Sequence, residues 1–476
     1  MLKFGGTSVE DAPALARAAD IVSARKSLSP VVVVSAMSRV TDALLAALAR
    51  AAGGDHEGAL AALAPHFARH LDAAQSLVAA GEVEGFAAAV AASRRELAAL
   101  LREAAGDDAR PRPLLHDAVV SHGERLSSTL FSAMLRAHGL ASLTVDARRC
   151  LVTNDEHACA APLAEETERR TRDALEPLLA DSIVPVLGGF IGSTLAGETT
   201  TLGRGGSDYS ASIFGAALSA SEIQIWTDVT GVLTADPRVV AAARTIPRMS
   251  YAEAAELAYF GAKVLHPKTI LPAVVRGIPV RICNSRRPGA QDTVIYFEPE
   301  ASPRTVKAIA HKTGVSIVHV TSARMLGAYG FLSRLFEVFE RHRTIVDVVT
   351  TSEVSVSMSI EDAGALDAII ADLKPFAAAA VERGRAIICV VGEGLRWTPG
   401  VAGRVFSTIS DINVLLISQG ASNVNLTFVV EEGRAVEAVR RLHAAFFEGD
   451  AGDEDDEAES LSRMLDAAAE ARGVSR

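Results

Sequence analysis

Lys3-Phe4-Gly5-Gly6-Thr7-Ser8-Val9 is the stretch on which the reading of this chain turns. It grows out of a short apolar piece, Met1-Leu2-Lys3-Phe4, and leads into a helical pattern over about 11–26. A strand, a glycine turn and a helix start, in that order, make a seat for an anion. Glycine lets the backbone approach closely, and free N–H groups at the turn and at the helix N-terminus point at the charge. Lys3 adds a mobile positive charge suited to phosphate. The lysine precedes the glycines, so this is not the GxxxxGK[ST] loop, and a plain glycine turn stays open as the alternative.

Moving outward, Val31-Val32-Val33-Val34 is a β-branched run that fits a strand covered on both faces, and it ends in Ser35-Ala36-Met37-Ser38. Ligands in open α/β sheets gather at the carboxyl ends of such strands. Thr41, just beyond, is a candidate contact or a helix cap. Residues 43–105 are rich in alanine and leucine and read as amphipathic helices. His66 and His70 have i,i+4 spacing, but no HExxH pattern or carboxylate partner accompanies them, so they read as surface side chains. After Pro111 and Pro113 a helix resumes through about Ala137. Gly123 inside it costs about 1 kcal/mol relative to alanine. Next to Glu124 and Arg125, that glycine marks either a close approach by a ligand or a kink beside a solvated ion pair. A second apolar strand, 183–187, runs into Gly188-Gly189-Phe190-Ile191-Gly192.

Thr199-Thr200-Thr201-Leu202-Gly203-Arg204-Gly205-Gly206-Ser207-Asp208-Tyr209-Ser210-Ala211 is a second anion site. Its glycines, Gly205 and Gly206 among them, expose backbone amides, and Ser207 is placed to cap a helix running to about Ala220. Arg204 offers a planar fork for a carboxylate, and Asp208 can meet an ammonium. Together they would read an α-amino acid; the alternative is that they pair with each other. A further strand, 222–226, ends in Thr227-Asp228, which suits a ribose or amine contact. Arg238 can reach phosphates. Residues 251–267 read as a helix interrupted by Gly261, with Lys263 at the break as a second lysine for a nucleotide or a solvated side chain.

The chain has 476 residues, enough for two to four domains at roughly 100–200 residues each. Hydrophobic residues at 49% and charged residues at 22% are globular values, and a net charge of −11 argues against a nucleic-acid partner. A small anionic substrate therefore needs a local basic pocket. The four cysteines, Cys150, Cys159, Cys283 and Cys389, form no CxxC pair and read as reduced and structural. No apolar run approaches membrane length, so a soluble cytoplasmic protein without a membrane partner is the expectation.

The second half repeats. Gly330 matches Gly400, Arg334 matches Arg404, Phe336 matches Phe406, Ser352 matches Ser422 and Val354 matches Val424, all at one offset of 70. Each copy reads as helix, strand, hairpin, strand. Phe331, Leu332, Leu335, Phe336, Val338 and Phe339 form a helical apolar stripe read as core, and 354–360 alternates as a half-buried strand should. Residues 450–459 are densely acidic, and the tail 449–476 is expected to be disordered.

KFGGTSV at 3–9, SHGERLS at 121–127, TTTLGRGGSDYSA at 199–211, WTDV at 226–229, DPR at 236–238 and GAKVLHP at 261–267 together resemble aspartokinases, in the order that family has them. The resemblance implies an α/β amino-acid-kinase fold, a mostly parallel central sheet between helices, over 1–298. Two α+β ACT domains would follow over 299–448, with about 314–384 inserted within 299–313 plus 385–448. It implies transfer of the γ-phosphoryl group of ATP to the β-carboxylate of L-aspartate. Lys3, Phe4, Gly5 and Gly6 would hold ATP together with Thr227, Asp228, Arg238, Lys263 and Val264. Thr41, Glu124, Phe190, Arg204, Gly205, Gly206, Ser207 and Asp208 would surround aspartate. Lys3, Arg204 and Asp208 would carry the chemistry, and Mg²⁺ would ride mainly on the ATP phosphates, with no dedicated protein site.

The first ACT copy is similar to the lysine-sensitive class, with Met325, Phe331, Leu332, Val346, Asp347, Ser352 and Glu353 around an inhibitor and Asp347 holding its ammonium. Ile417 stands at the matching place in the second copy, so only the first would bind. A homodimer through the ACT domains is implied. Two departures stand out: Leu233 where the family often has tyrosine, and Ala328 where lysine-binding relatives often have serine. A catalytically silent amino-acid sensor and a kinase for another acidic amino acid are the alternatives. Too little chain follows Phe447 for a fused homoserine dehydrogenase.

Overall fold

The structure is a computed structural model that describes residues 1–106, 110–261, 265–297, 305–361, 364–420 and 422–448. Lys263, Val264 and the acidic tail lie outside the described residues. Among those described, the chain forms two compact units. The first comprises Met1–Val232, Pro247–Met249 and 265–297; the second gathers Leu233–Ile246, 250–261 and the residues from 305 onward.

The first unit is built on an eight-stranded sheet. Its strands are β1 (Leu2–Phe4), β2 (Val32–Val34), β3 (Ser142–Val145), β4 (Val184–Gly188), β7 (Ile223–Thr227), β8 (Arg248–Ser250), β9 (Val280–Asn284) and β10 (Thr293–Tyr296). The spatial order is β3-β4-β2-β1-β7-β9-β10-β8, and a separate hairpin is made by β5 (Ile191–Ser193) and β6 (Thr199–Thr201). Pairing is parallel from β3 to β9 and turns antiparallel at β9–β10. β1 and β2 are buried throughout, as strands covered on both faces must be.

Period-2 alternation sorts β1. Leu2 and Phe4 enter the core cluster with Phe131 of the long helix Arg112–Ala137, while Lys3 points to the other face. The helix Gly206–Ala217 packs against β1, β2 and β7. Phe4 lies 5.5 Å from Phe131 and 6.3 Å from Trp226, ring centre to ring centre.

The alanine-rich stretch resolves into helices Val40–Ala52, His56–Ala62, Ala64–Leu77 and Ala80–Ala104. His70 is not a surface side chain: it is buried, its Nδ1 meets the His66 carbonyl at 2.8 Å, and burial pushes its pKa down to about 4. Gly123 lies inside one continuous helix, Arg112–Ala137. A Cβ there would sit 2.7 Å from the Ala36 side chain, so the glycine lets the helix pass close beneath the end of β2. Arg125 pairs with Glu96 at 3.1 Å, which leaves Glu124 turned inward.

In the second unit the repeat becomes a six-stranded sheet in the order β12-β13-β11-β14-β16-β15. The strands are β11 (Ala308–Thr321), β12 (Val346–Thr351), β13 (Ser355–Ile360), β14 (Ala378–Val391), β15 (Val414–Gln419) and β16 (Asn425–Glu431). The two long strands serve both halves. Ala308–Lys312 pairs with Ile387–Val391, whereas Ser316–Thr321 pairs with β13 on one side and, through Ile317–Thr321, with Ala378–Glu382 on the other. Gly314 and Gly384, each at positive φ, lie where the register shifts. The helices Phe331–Arg341 and Val401–Thr408 start at equivalent places, each from a left-handed glycine N-cap, Gly330 and Gly400. Phe331, Leu335, Val338 and Phe339 are core, whereas Leu332 and Phe336 face outward, because an 11-residue helix on one sheet buries a single stripe.

Candidate active site

The carboxyl ends of β1, β2, β4 and β7 meet at one place, and backbone bonds lace their loops together. Gly5 N–H donates to the Trp226 carbonyl (3.0 Å), Ser35 N–H to Phe4 (3.0 Å), Ser38 N–H to Gly6 (3.2 Å) and Gly189 N–H to Val34 (2.9 Å). A cavity of about 360 Å³ opens among them. Lys3, Gly6, Thr41, Glu124, Phe190, Gly205, Gly206, Ser207 and Asp208 all line it. The two glycine stretches, some 200 residues apart in sequence, are thus walls of one space.

Two helix N-termini face this cavity, and neither is capped by a side chain. Val40–Ala52 begins from Arg39 at φ 69°, and Gly206–Ala217 begins from Gly205 at φ 74°. Ser207 is therefore not the cap; it is the second residue of its helix, because Gly205 takes the left-handed turn that sets the helix going. Thr41 is likewise inside its helix and does not cap it. First-turn N–H groups left without a side-chain acceptor are well placed for an anion.

Lys3 and Asp208 join the cradles. Lys3 Nζ lies 2.6 Å from Asp208 Oδ1, both side chains mostly buried. Glu124, opposite, is fully buried. Its Oε1 accepts from Ala36 N–H at 3.2 Å, while Oε2 has no partner. Burial raises its carboxyl pKa to about 8 against the Ala36 hydrogen bond. The packing is tight enough to demand glycine. A Cβ on Gly188 would lie 2.9 Å from Glu124 Cβ, one on Gly189 would lie 2.7 Å from Ser207 Cβ, and one on Gly206 would lie 2.6 Å from Phe190. Phe190 itself holds φ 68°, fixed by its N–H to Ser210 Oγ (2.9 Å) and its carbonyl to Leu202 N–H (3.0 Å).

Other expected residues fall around this centre. Phe4 is core, and Gly5 sits beside Trp226 and the Lys3 ammonium. Arg204 is exposed, between the cavity-lining Gly203 and Gly205. Thr227 ends β7 and Asp228 follows it, and Ser285 Oγ ties the Thr227 carbonyl (3.0 Å) to Ser8 Oγ (2.7 Å). Arg238 belongs to the second unit, where it grips Asp236 at 2.6 Å. Sequence reasoning passed over Ser38, Arg39 and Asp42, which also line the cavity. The small polar residues ending the β2 run were the signal for them.

In the second unit Asp347 is held from two sides. Tyr259 Oη donates to its Oδ1 (2.5 Å) and Lys312 Nζ to its Oδ2 (3.1 Å), and the carboxylate side chain is only 2% exposed. Met325 and Val346 pack against the core containing Phe331. Ser352 and Glu353 are exposed in the hairpin at the far end of β12 from Asp347. The cysteines are free; Cys150, Cys283 and Cys389 are buried and Cys159 is exposed. No helix among the described residues is long and apolar enough to cross a membrane.

Residues 1–284 match the amino acid kinase family, and residues 388–446 match an ACT domain family. The chain is 37% identical to the lysine-sensitive aspartokinase 3 of Escherichia coli K12 over 455 residues, covering 94% of this chain and 98% of that one. It is similar in structure to E. coli aspartokinase III in complex with lysine and aspartate (T-state), with a TM-score of 0.78 and 36% identity over 94% of this chain and 99% of that one. The same enzyme with aspartate and ADP (R-state) gives 0.77 and 35% at the same coverage.

Proposed function

The chain belongs to the aspartokinase family, and we propose that Lys3, Asp208, Glu124 and the loop 203–206 are the parts that carry its reaction. The enzyme transfers the γ-phosphoryl group of ATP to the β-carboxylate of L-aspartate and is regulated through ACT domains. The observation that carries our assignment is the 2.6 Å contact between Lys3 and Asp208 inside one cavity, with an uncapped helix N-terminus on either side.

A carboxylate attacking a polyanion meets repulsion before any bond forms, so positioning and electrostatics must supply the catalysis. No base is needed, because the nucleophile is ionised at neutral pH. Lys3 sits where it can neutralise charge on the transferring group, and Asp208 holds its ammonium in place. Gly5, its own N–H held by the Trp226 carbonyl, sets the turn from which Gly6 faces the phosphates, with Thr227 and Asp228 beside them. On the other wall Arg204 grips the substrate α-carboxylate. The unpartnered Glu124 Oε2 takes its ammonium, since the charge of Asp208 already answers Lys3. Mg²⁺ would neutralise the ATP phosphates from their own oxygens. Among the described residues no cluster of three or more His, Cys, Asp or Glu is arranged to hold a metal. The enzyme would work in the cytoplasm.

Lysine is the proposed inhibitor, with Asp347 as the seat of its ammonium. In the structure that seat is filled by Lys312, an ammonium supplied by the chain itself. Asp347 and the Ser352–Glu353 hairpin are separated by most of a six-residue strand, about 15 Å. A second copy would be needed to bring both kinds of residue to one ligand. Tyr329, Ile345 and Leu326, which are 100%, 72% and 62% exposed, offer apolar surface for that homodimer. Trapping the acyl phosphate with hydroxylamine tests the catalytic assignment: Lys3→Ala abolishes product, and near-normal activity in that variant would overturn the role given to Lys3.

A further inference from the structure

Two helical turns before Glu124, on the same helix, Asp117 is fully buried and collects more hydrogen bonds than its place in a helix requires. Thr201 gives it two, from Oγ1 to Oδ1 (2.5 Å) and from N–H to Oδ2 (3.2 Å). Ala158 N–H reaches both oxygens (3.1 and 2.9 Å), and the His116 and His157 rings approach at 2.8 and 3.0 Å. Burial opposes ionisation, but the bonds from His116, Thr201, Ala158 and His157 outweigh it and hold the carboxyl below the usual range.

The partners matter more than their number. Thr201 is the last residue of β6, two before Gly203. Ala158 lies across from that glycine: a Cβ on Gly203 would be 3.3 Å from the Ala158 carbonyl and 3.4 Å from Cys159 Sγ. Gly203 and Gly205 both hold positive φ, so the loop between them has wide conformational freedom and takes its place from its ends. The far end is set where Gly206 packs on Phe190. The near end and its outer support both hang on one carboxylate, carried by the helix that also carries Glu124.

We infer that Asp117 is a positioning residue for the aspartate cradle, fixing the glycine loop 203–206 relative to Glu124 through Thr201 and Ala158. This rests on the reading of that loop as the aspartate cradle, which Arg204→Ala tests separately by its own KM for aspartate.

The test uses the full chain with Asp117→Asn and, as a milder break, Thr201→Val. Steady-state kinetics are combined with thiol titration, since Cys159 is exposed while the other three cysteines are buried. In both variants the KM for aspartate rises, by at least about tenfold in Asp117→Asn, while the KM for ATP stays within about twofold. One thiol per chain reacts, as in the parent, but faster, because the loop that carries it is released. A KM for aspartate unchanged in both variants overturns the inference, as does a parallel rise of both KM values. If Asp117→Asn exposes all four thiols, the fold has opened and Thr201→Val decides: a raised aspartate KM supports the role, and the parent value defeats it. An unchanged aspartate KM in Arg204→Ala would instead remove the cradle reading itself.

Discussion

Lys3 Nζ and Asp208 Oδ1, 205 positions apart in sequence, lie 2.6 Å apart in a space walled by both glycine stretches. The pair makes Asp208 a holder of the cation. Asp208→Asn is expected to lower kcat by about 10²-fold while changing the KM for aspartate far less. A large KM change with kcat preserved would show that Asp208 faces the substrate instead.

Glu124 should impose a pH dependence. Burial raises its carboxyl pKa to about 8, and on the proposed reading it must ionise to hold an ammonium. The KM for aspartate therefore falls as pH rises from about 6 and levels above about 8, and Glu124→Gln raises that KM and flattens its profile. Stability runs the other way. Between the ordinary carboxyl value of 4.5 and about 8 the folded chain keeps a proton that the unfolded chain has lost, so this group's contribution declines across that window. Urea denaturation should find Glu124→Gln more stable than the parent at pH 8, by a few kcal/mol, with the gain shrinking toward pH 5.

Close packing predicts opposite outcomes for one substitution type. Gly189→Ala puts a methyl 2.7 Å from Ser207 Cβ and 2.8 Å from its Cα, so the helix start must move. A drop in melting temperature and a rise of about tenfold in the KM for aspartate are expected. Gly403→Ala, inside the helix Val401–Thr408 with nothing within 4 Å, should stabilise by about 0.5–1 kcal/mol with kinetics unchanged. Thermal melts and KM measured side by side check both.

At Asp347 the two partners predict different losses. Asp347→Ala should raise the lysine concentration for half-inhibition by at least about tenfold. Lys312→Met strands a buried carboxylate with only Tyr259 and the incoming ligand to answer it, so the variant is less stable alone and is rescued by lysine in a thermal-shift assay. Titration of lysine against threonine decides the inhibitor: inhibition by threonine alone would end the lysine reading.

What could be read from the sequence was whatever a local pattern carries. The valine run at β2 and the glycine turn after β1 announce themselves within a few residues, the offset linking Gly330 to Gly400 shows when the chain is laid against itself, and the strands and helix starts lie where those patterns put them. Contacts across long separations were not readable. Nothing in Ser121–Ser127 says that Gly123 makes room for Ala36, or that Arg125 turns to Glu96 and leaves Glu124 inside. Ser207 reads as a cap because serine is favoured at that position; Gly205 takes the place instead, through a backbone angle that sequence propensity ranks only weakly. His70 reads as a surface side chain because no metal motif accompanies it, yet the core closes over it. Asp117 drew no notice, since a single carboxylate in a helix has no pattern.

The two long strands of the second unit, each crossing from one half of the sheet to the other, tie the ACT copies into a single knitted panel. No scissor cut between them leaves either with a whole set of strands. Loss of one copy by deletion should therefore unravel its neighbour too. A regulatory region transplanted to another chain would therefore have to travel as the full span of both repeats.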